Sequence, residues 1–109
     1  MLIYVAGPYR ASSAWAIELN VRVAEFAALE VWRLGHVAVC PHTMTRYYQG
    51  ALPDDVWLEG LLELMRRCDA VLMVGDWRSS TGSVAERTEA ERLGLPVFEY
   101  LGDVPEGKR

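Results

Sequence analysis

A serine- and glycine-rich turn followed by one acidic side chain is the part of this chain best equipped for chemistry. Residues 79–86 read SSTGSVAE. Ser79, Ser80, Thr81 and Ser83 crowd hydroxyls and backbone amides around Gly82, and Glu86 follows one helical turn later. On a helix advancing about 100° per residue, Glu86 shares a face with Gly82, Ala90 and Leu93, while Arg87, Glu91 and Arg92 point away. Ala90 and Leu93 should face a core, so Glu86 is expected on or near the buried side. A carboxylate there is costly unless it is paired or hydrogen-bonded, and its place in the first helical turns favours the ionised form. An ionised, partly desolvated carboxylate at a ligand-binding edge suits nucleophilic catalysis. The same letters permit a plainer reading, because Ser83 and Glu86 have the S-x-x-E spacing of a capping box. Tyr4 bears on the choice. It sits among Leu2, Ile3, Val5 and Ala6, and a buried phenol needs a hydrogen-bond partner. That partner is either a carboxylate on a helix packed nearby or a backbone carbonyl.

Other residues fall at positions where a ligand would be met. Gly7-Pro8-Tyr9-Arg10 directly follows the first apolar run and leads into a helix. Helix N-termini offer free N–H groups to a phosphate or carboxylate, and glycine permits close backbone approach. The segment is neither a Walker loop nor a GxGxxG fingerprint, so ATP or NAD binding has little support. His42 follows the second strand and is read either as a substrate contact or as a solvated loop residue. Asp76 is placed to bond a sugar hydroxyl or to cap its loop. Trp77 and the pair Tyr47-Tyr48 could stack on a base or meet another subunit. His36, Cys40 and His42 are only three candidate ligands, and His36 precedes the strand, so no metal is assigned.

These positions make sense on alternating strands and helices. Leu2–Ala6 reads as a buried strand ended by Gly7-Pro8. Ser12 or Ser13 caps a helix to about Leu34, with Ile17, Val21, Ala24, Ala28 and Val31 at helical spacing, and Gly35 stops it. Val37–Cys40 reads as a second strand and residues 41–52 as a loop. Asp54 or Asp55 caps a helix to about Arg67, with Leu58, Leu61, Leu62 and Met65 facing inward. Ala70–Val74 reads as a central strand buried on both faces. A third helix spans about Gly82–Leu93, and Val97–Tyr100 reads as a fourth strand. The order βαβαβαβ predicts a three-layer α/β fold of flavodoxin-like (Rossmann-like) type. Its parallel sheet would have four or five strands flanked by helices. Ligands of such sheets bind at the carboxyl ends of the strands, which selects residues 7–13, 41–52, 75–81 and the edge after Tyr100. One domain over residues 1–101 is expected, with 102–109 a polar tail.

Composition sets outer limits. The 109 residues are 51% hydrophobic and 24% charged, ordinary for a globular chain. At this size about two thirds of the unfolded surface is buried on folding, enough for a core without staples. Eleven basic against fifteen acidic residues leave a net charge of −4. That balance argues against a sequence-independent grip on a nucleic acid polymer. No apolar run approaches the roughly 18 residues of a membrane span, and the start has no secretory pattern. Two cysteines, Cys40 and Cys68, without a CxxC spacing fit buried thiols in a cytoplasmic protein. Trp57 beside Leu58, Leu61 and Leu62 is more apolar surface than one sheet face consumes, which suggests a homodimer or higher homo-oligomer through that helix.

Four segments together carry a resemblance: IYVAGPYR (3–10), GHVAVCPH (35–42), CDAVLMVGDW (68–77) and SSTGSVAERTEAERLGLPV (79–97). In this order they resemble the nucleoside 2-deoxyribosyltransferase superfamily, closest to its small uncharacterised members and its nucleotide N-glycosidase branch. The most specific piece is S-x-G-x-x-x-E, here Ser80, Gly82 and Glu86. The resemblance implies that Glu86 attacks the anomeric carbon and that Tyr4 orients it. It implies that Ser80 helps hold a 5′-phosphate and that the Gly7–Arg10 loop lies against sugar and phosphate. No metal or cofactor is implied. The substrate would be a small nucleotide or nucleoside, namely a 2′-deoxynucleoside 5′-monophosphate whose N-glycosidic bond is hydrolysed or transferred. The chain is shorter than the characterised enzymes and lacks a C-terminal segment that completes the neighbouring site in their dimers. A non-catalytic nucleotide-sensing module of the same fold, or an interaction domain using its tryptophans, are the alternative classes.

Overall fold

The computed structural model describes residues 1–107. Four strands form one sheet: β1 (Leu2–Ala6), β2 (Val37–Val39), β3 (Ala70–Met73) and β4 (Val97–Phe98). Their order is β2-β1-β3-β4 and every pairing is parallel. Helices α1 (Ala14–Arg33), α2 (Pro41–Met44), α3 (Asp54–Arg66) and α4 (Thr81–Arg92) make the crossovers. This is the three-layer, flavodoxin-like α/β architecture that the strand–helix alternation predicts. No helix among the described residues is long and apolar enough to cross a membrane.

The period-two alternation of β1 sorts its side chains into two cores. Ile3 and Val5 pack with Ala70 and Leu72 of β3 beneath Ala24, Ala28 and Val31 of α1. Tyr4 and Ala6 face the other way, with Val71, Met73, Met65 of α3 and Ala90 of α4. All four β3 residues are buried, as a strand covered on both faces must be. Tyr4 is thereby committed to the layer that contains α4. Ser13 caps α1 by accepting a hydrogen bond from the Ala16 N–H at 3.1 Å.

Some boundaries differ from the sequence expectation. The 41–52 segment is not all loop, because Pro41 starts the short helix α2 at the position where proline is best tolerated. Strand β2 stops at Val39, β3 at Met73 and β4 at Phe98. Helix α4 begins one residue early because Ser80 caps it. Leu93 does not face the core; it is the C-cap residue and is exposed. The start of the segment expected as a polar tail (102–109) instead folds back, with a 3-10 turn over Leu101–Asp103; residues 108–109 lie outside the described residues. Val104 is then buried in the α1-side core. The His36 imidazole donates from Nε2 to the Pro105 carbonyl at 2.6 Å, and the Gly107 N–H reaches the Leu34 carbonyl at 2.6 Å. One apolar side chain and two hydrogen bonds thus dock a segment whose composition reads as solvated.

Candidate active site

The carboxyl end of β1 and the segments that follow β1, β2 and β3 enclose a cavity of about 690 Å³. Its floor depends on Gly7. A Cβ there would lie 2.7 Å from the Val74 Cγ2 and 2.9 Å from the Val74 carbonyl oxygen. Only glycine lets the end of β1 lie this close to the end of β3. Gly75 turns the chain away with φ of +63°, against the Pro8 ring.

On one wall the Tyr4 hydroxyl donates a short hydrogen bond to Glu86 Oε2. Tyr4 is wholly buried and Glu86 is 8% exposed, and both line the cavity. This separates the two readings of Glu86. The N-cap of α4 is Ser80, whose Oγ accepts from the Ser83 N–H at 3.3 Å and from the Ser83 hydroxyl at 3.0 Å. Glu86 is therefore not occupied as a capping-box partner of Ser83; it reaches across to the sheet.

Burial dominates the electrostatics of this carboxyl. Desolvation pushes the Glu86 pKa up from 4.5 to about 7, with the Tyr4 hydrogen bond pulling the other way. Burial thus works against the ionised form that the sequence reading expects, while the Tyr4 hydrogen bond works for it. Burial and the adjacent carboxylate push the Tyr4 phenol well above its usual range, so it stays a neutral donor.

The Gly7–Arg10 loop is tied down from three sides. His42 Nε2 lies 2.8 Å from the Pro8 carbonyl. A carbonyl only accepts, so Nε2 carries the proton, and burial pushes the His42 pKa down, keeping the ring neutral. Asn20 Nδ2 donates to the Tyr9 carbonyl at 3.1 Å. Arg10 crosses the cavity mouth to pair with Asp54 at 2.5 Å, both side chains well exposed. His42 is hence buried and structured rather than a solvated loop residue.

The structure brings Tyr4, Gly7, Pro8, Tyr9, Arg10, His42, Ser80, Gly82 and Glu86 to one cavity. It does not bring Asp76 or Trp77 there. The Asp76 carboxylate accepts from the Ser79 hydroxyl at 2.8 Å. Trp77 is buried in the α4-side core. The Arg78 and Arg87 guanidinium carbons lie 4.3 and 4.8 Å from its ring centroid. Those arginines take the room a stacked base would need.

Sequence reasoning missed the opposite wall. Trp57, Leu58 and Leu61 of α3 line the cavity, with Asp54 and Asp55 at its rim. Only Met65 of the four α3 residues expected inward is buried. Trp57, read as dimer surface, is half-buried, with its indole nitrogen shielded from solvent. Its ring lies 6.0 Å from that of Tyr48. The surplus of apolar residues on α3 was the available signal, and it marks a cavity wall. Among the described residues no group of three or more His, Cys, Asp or Glu side chains is arranged to hold a metal. Cys40 and Cys68 are both free and buried.

The comparisons with known proteins agree on architecture. A search of curated proteins returns no match. The structure superimposes on a 2-deoxyribosyltransferase from the psychrotolerant bacterium Bacillus psychrosaccharolyticus with a TM-score of 0.71. The match covers 99% of this chain and 93% of that one at 19% identity, a likeness of fold. Residues 1–99 match the model of DUF4406, described as a domain of unknown function. With nearly its whole length accounted for by that model, the chain belongs to the DUF4406 family.

Proposed function

We propose that this protein breaks the N-glycosidic bond of a 2′-deoxynucleoside 5′-monophosphate, with Glu86 as nucleophile. The observation that carries the reading is the buried Tyr4–Glu86 pair on the wall of the cavity. The fold shared with a deoxyribosyltransferase supports glycosyl transfer in general.

In this reading the Glu86 carboxylate attacks C1′ while the C1′–N bond breaks. The bonding pair leaves with the base, which takes up a proton. The carboxylate both stabilises the oxocarbenium-like centre and captures it, as in retaining glycosidases. Water then cleaves the glycosyl ester, restoring Glu86 and releasing deoxyribose 5-phosphate; a second base in place of water gives transfer. The Ser80 hydroxyl and the first amides of α4 suit a 5′-phosphate, with Arg10 swinging from Asp54 to join them. His42 contributes by holding the loop that meets the sugar. Two buried free thiols fit a cytoplasmic setting.

The test is release of free base from each deoxynucleotide, followed by chromatography. Glu86→Gln should lower the rate at least about a thousandfold, the scale on which loss of a nucleophile acts. Undiminished release from Glu86→Gln and Glu86→Ala would remove Glu86 from the chemistry. Tight binding with no release, even at high protein concentration, would assign a nucleotide-sensing module instead.

A further inference from the structure

Among the described residues, three side-chain polar atoms are hidden from solvent without a hydrogen-bond partner: His42 Nδ1, Trp57 Nε1 and Arg46 Nε. Arg46 lies outside the cavity lining, and its other nitrogens are held by Glu18 and Glu25. Trp57 is half-buried, so its indole has room to adjust. His42 is the distinct case. It lines the cavity, is only 6% exposed, and sits on the short helix α2. The chemistry of its unpaired atom follows from the other ring nitrogen. Nε2 lies 2.8 Å from the Pro8 carbonyl, which only accepts, so Nε2 holds the proton. Burial keeps the ring neutral. Nδ1 therefore carries a bare lone pair and takes a hydrogen bond only from a donor. Leaving such an acceptor unmet is costly. Its partner must come from outside the chain, as a water or as a ligand donor.

The Pro8 bond also fixes where the imidazole sits, against the Gly7–Arg10 loop. What donor it meets rests on the function proposed above, in which that loop lies against the sugar. A 2′-deoxynucleoside 5′-monophosphate has a single sugar hydroxyl, at the 3′ position. With C1′ at Glu86 and the phosphate at Ser80, the sugar edge left for the loop carries that hydroxyl. We propose that His42 Nδ1 accepts a hydrogen bond from the 3′-hydroxyl of the substrate, so that one ring both holds the loop and selects the sugar. A site built to bond a substrate hydroxyl rejects the analogue that lacks it, because the buried partner is then left unpaired. Access requires a neighbour to yield. The Tyr9 ring, centred 5.8 Å from that of His42, is loosely held. Its hydroxyl meets the exposed Gln49 side chain at 3.5 Å, the outer limit of a hydrogen bond.

Calorimetric titration of the full chain carrying Glu86→Gln reads affinity without turnover. The probes are a 2′-deoxynucleoside 5′-monophosphate of each base and its 2′,3′-dideoxy counterpart. Removal of the 3′-hydroxyl should weaken binding about tenfold. Two substitutions then separate the roles of the ring nitrogens. In His42→Gln the carboxamide reaches the Nε2 position, keeping the link to Pro8 without an acceptor at the Nδ1 position. The dideoxy penalty should there fall below about twofold. In His42→Asn the carboxamide oxygen takes the place of Nδ1 and the link to Pro8 is lost. Both probes should then bind more weakly, with the dideoxy penalty retained. A residue that only held the loop would give the reverse, with His42→Gln the silent change. No penalty in the Glu86→Gln protein, the result if a water satisfies Nδ1, overturns the proposal without any change at His42. An undiminished penalty after His42→Gln overturns it as well. Failure of every deoxynucleotide to bind is a separate result: it removes the nucleotide reading, and this contact with it.

Discussion

The two walls of the cavity are built on different principles. One consists of β1 and α4, where Tyr4, Ser83, Glu86 and Ala90 are all buried and polar groups are paired to one another. The other consists of α3 and the loops before it, where a single α3 residue, Met65, is fully buried. Its polar link across the mouth is the exposed Arg10–Asp54 pair. A group that must be desolvated to react belongs on the first wall. Groups that must admit and release a ligand belong on the second. In the proposed reading chemistry and selectivity fall to separate elements, and substitutions on the two walls should differ in kind.

The largest contrast is in stability. Glu86 binds its proton more tightly folded than unfolded, so its contribution is fully present below pH 4.5 and is lost as pH rises through about 7. Glu86→Gln should match the parent near pH 4 and be the more stable protein at pH 8, by up to about 3 kcal/mol. Denaturant melts at the two pH values read this directly, and a variant less stable at pH 8 would mean the carboxyl is not desolvated. Activity should carry the same signature, rising with pH through about 7 as the nucleophile ionises.

Next comes Tyr4→Phe. Its hydroxyl holds Glu86 towards the ionised form, so its loss should lower kcat roughly 10- to 100-fold, the range for hydrogen bonds to a charged group. The acidic limb of the pH–rate profile should also move to higher pH. A drop in rate with an unmoved limb would indicate packing alone. Ser80→Ala should be milder, with kcat/KM for a nucleoside monophosphate falling by up to about tenfold. The corresponding nucleoside should be unaffected; equal losses would unseat the phosphate assignment. The smallest change is expected on the second wall. Trp57→Leu should alter preference between bases by about threefold to tenfold, the worth of an aromatic contact, while leaving the pH limb in place.

Legibility in the sequence follows the same division. Continuous apolar runs and glycine stops revealed β1, β3 and α1, because local pattern and tertiary burial coincide there. The helical wheel indicated the burial of Glu86 although Leu93 on the same stripe is exposed, and the cost of a buried phenol required a partner for Tyr4 without choosing between a carboxylate and a backbone carbonyl. What was not legible depended on competition between partners. Ser80 rather than Ser83 caps α4, and Asp76 satisfies Ser79 rather than facing the cavity. Trp77 is held between two arginines instead of remaining open. The Leu58 and Leu61 stripe has core spacing yet borders empty space, since periodicity reports that a face is apolar and not what covers it.

The docking of Gly107 on Leu34 has a practical corollary. Leu34 precedes β2, at the amino-terminal end of a parallel sheet whose carboxyl ends carry the cavity. A fluorescent label or surface tether attached at Gly107 would sit at the pole remote from the pocket. Immobilised preparations made that way should keep substrate access intact. The same appendage grafted into the 47–52 turn would hang over the entrance.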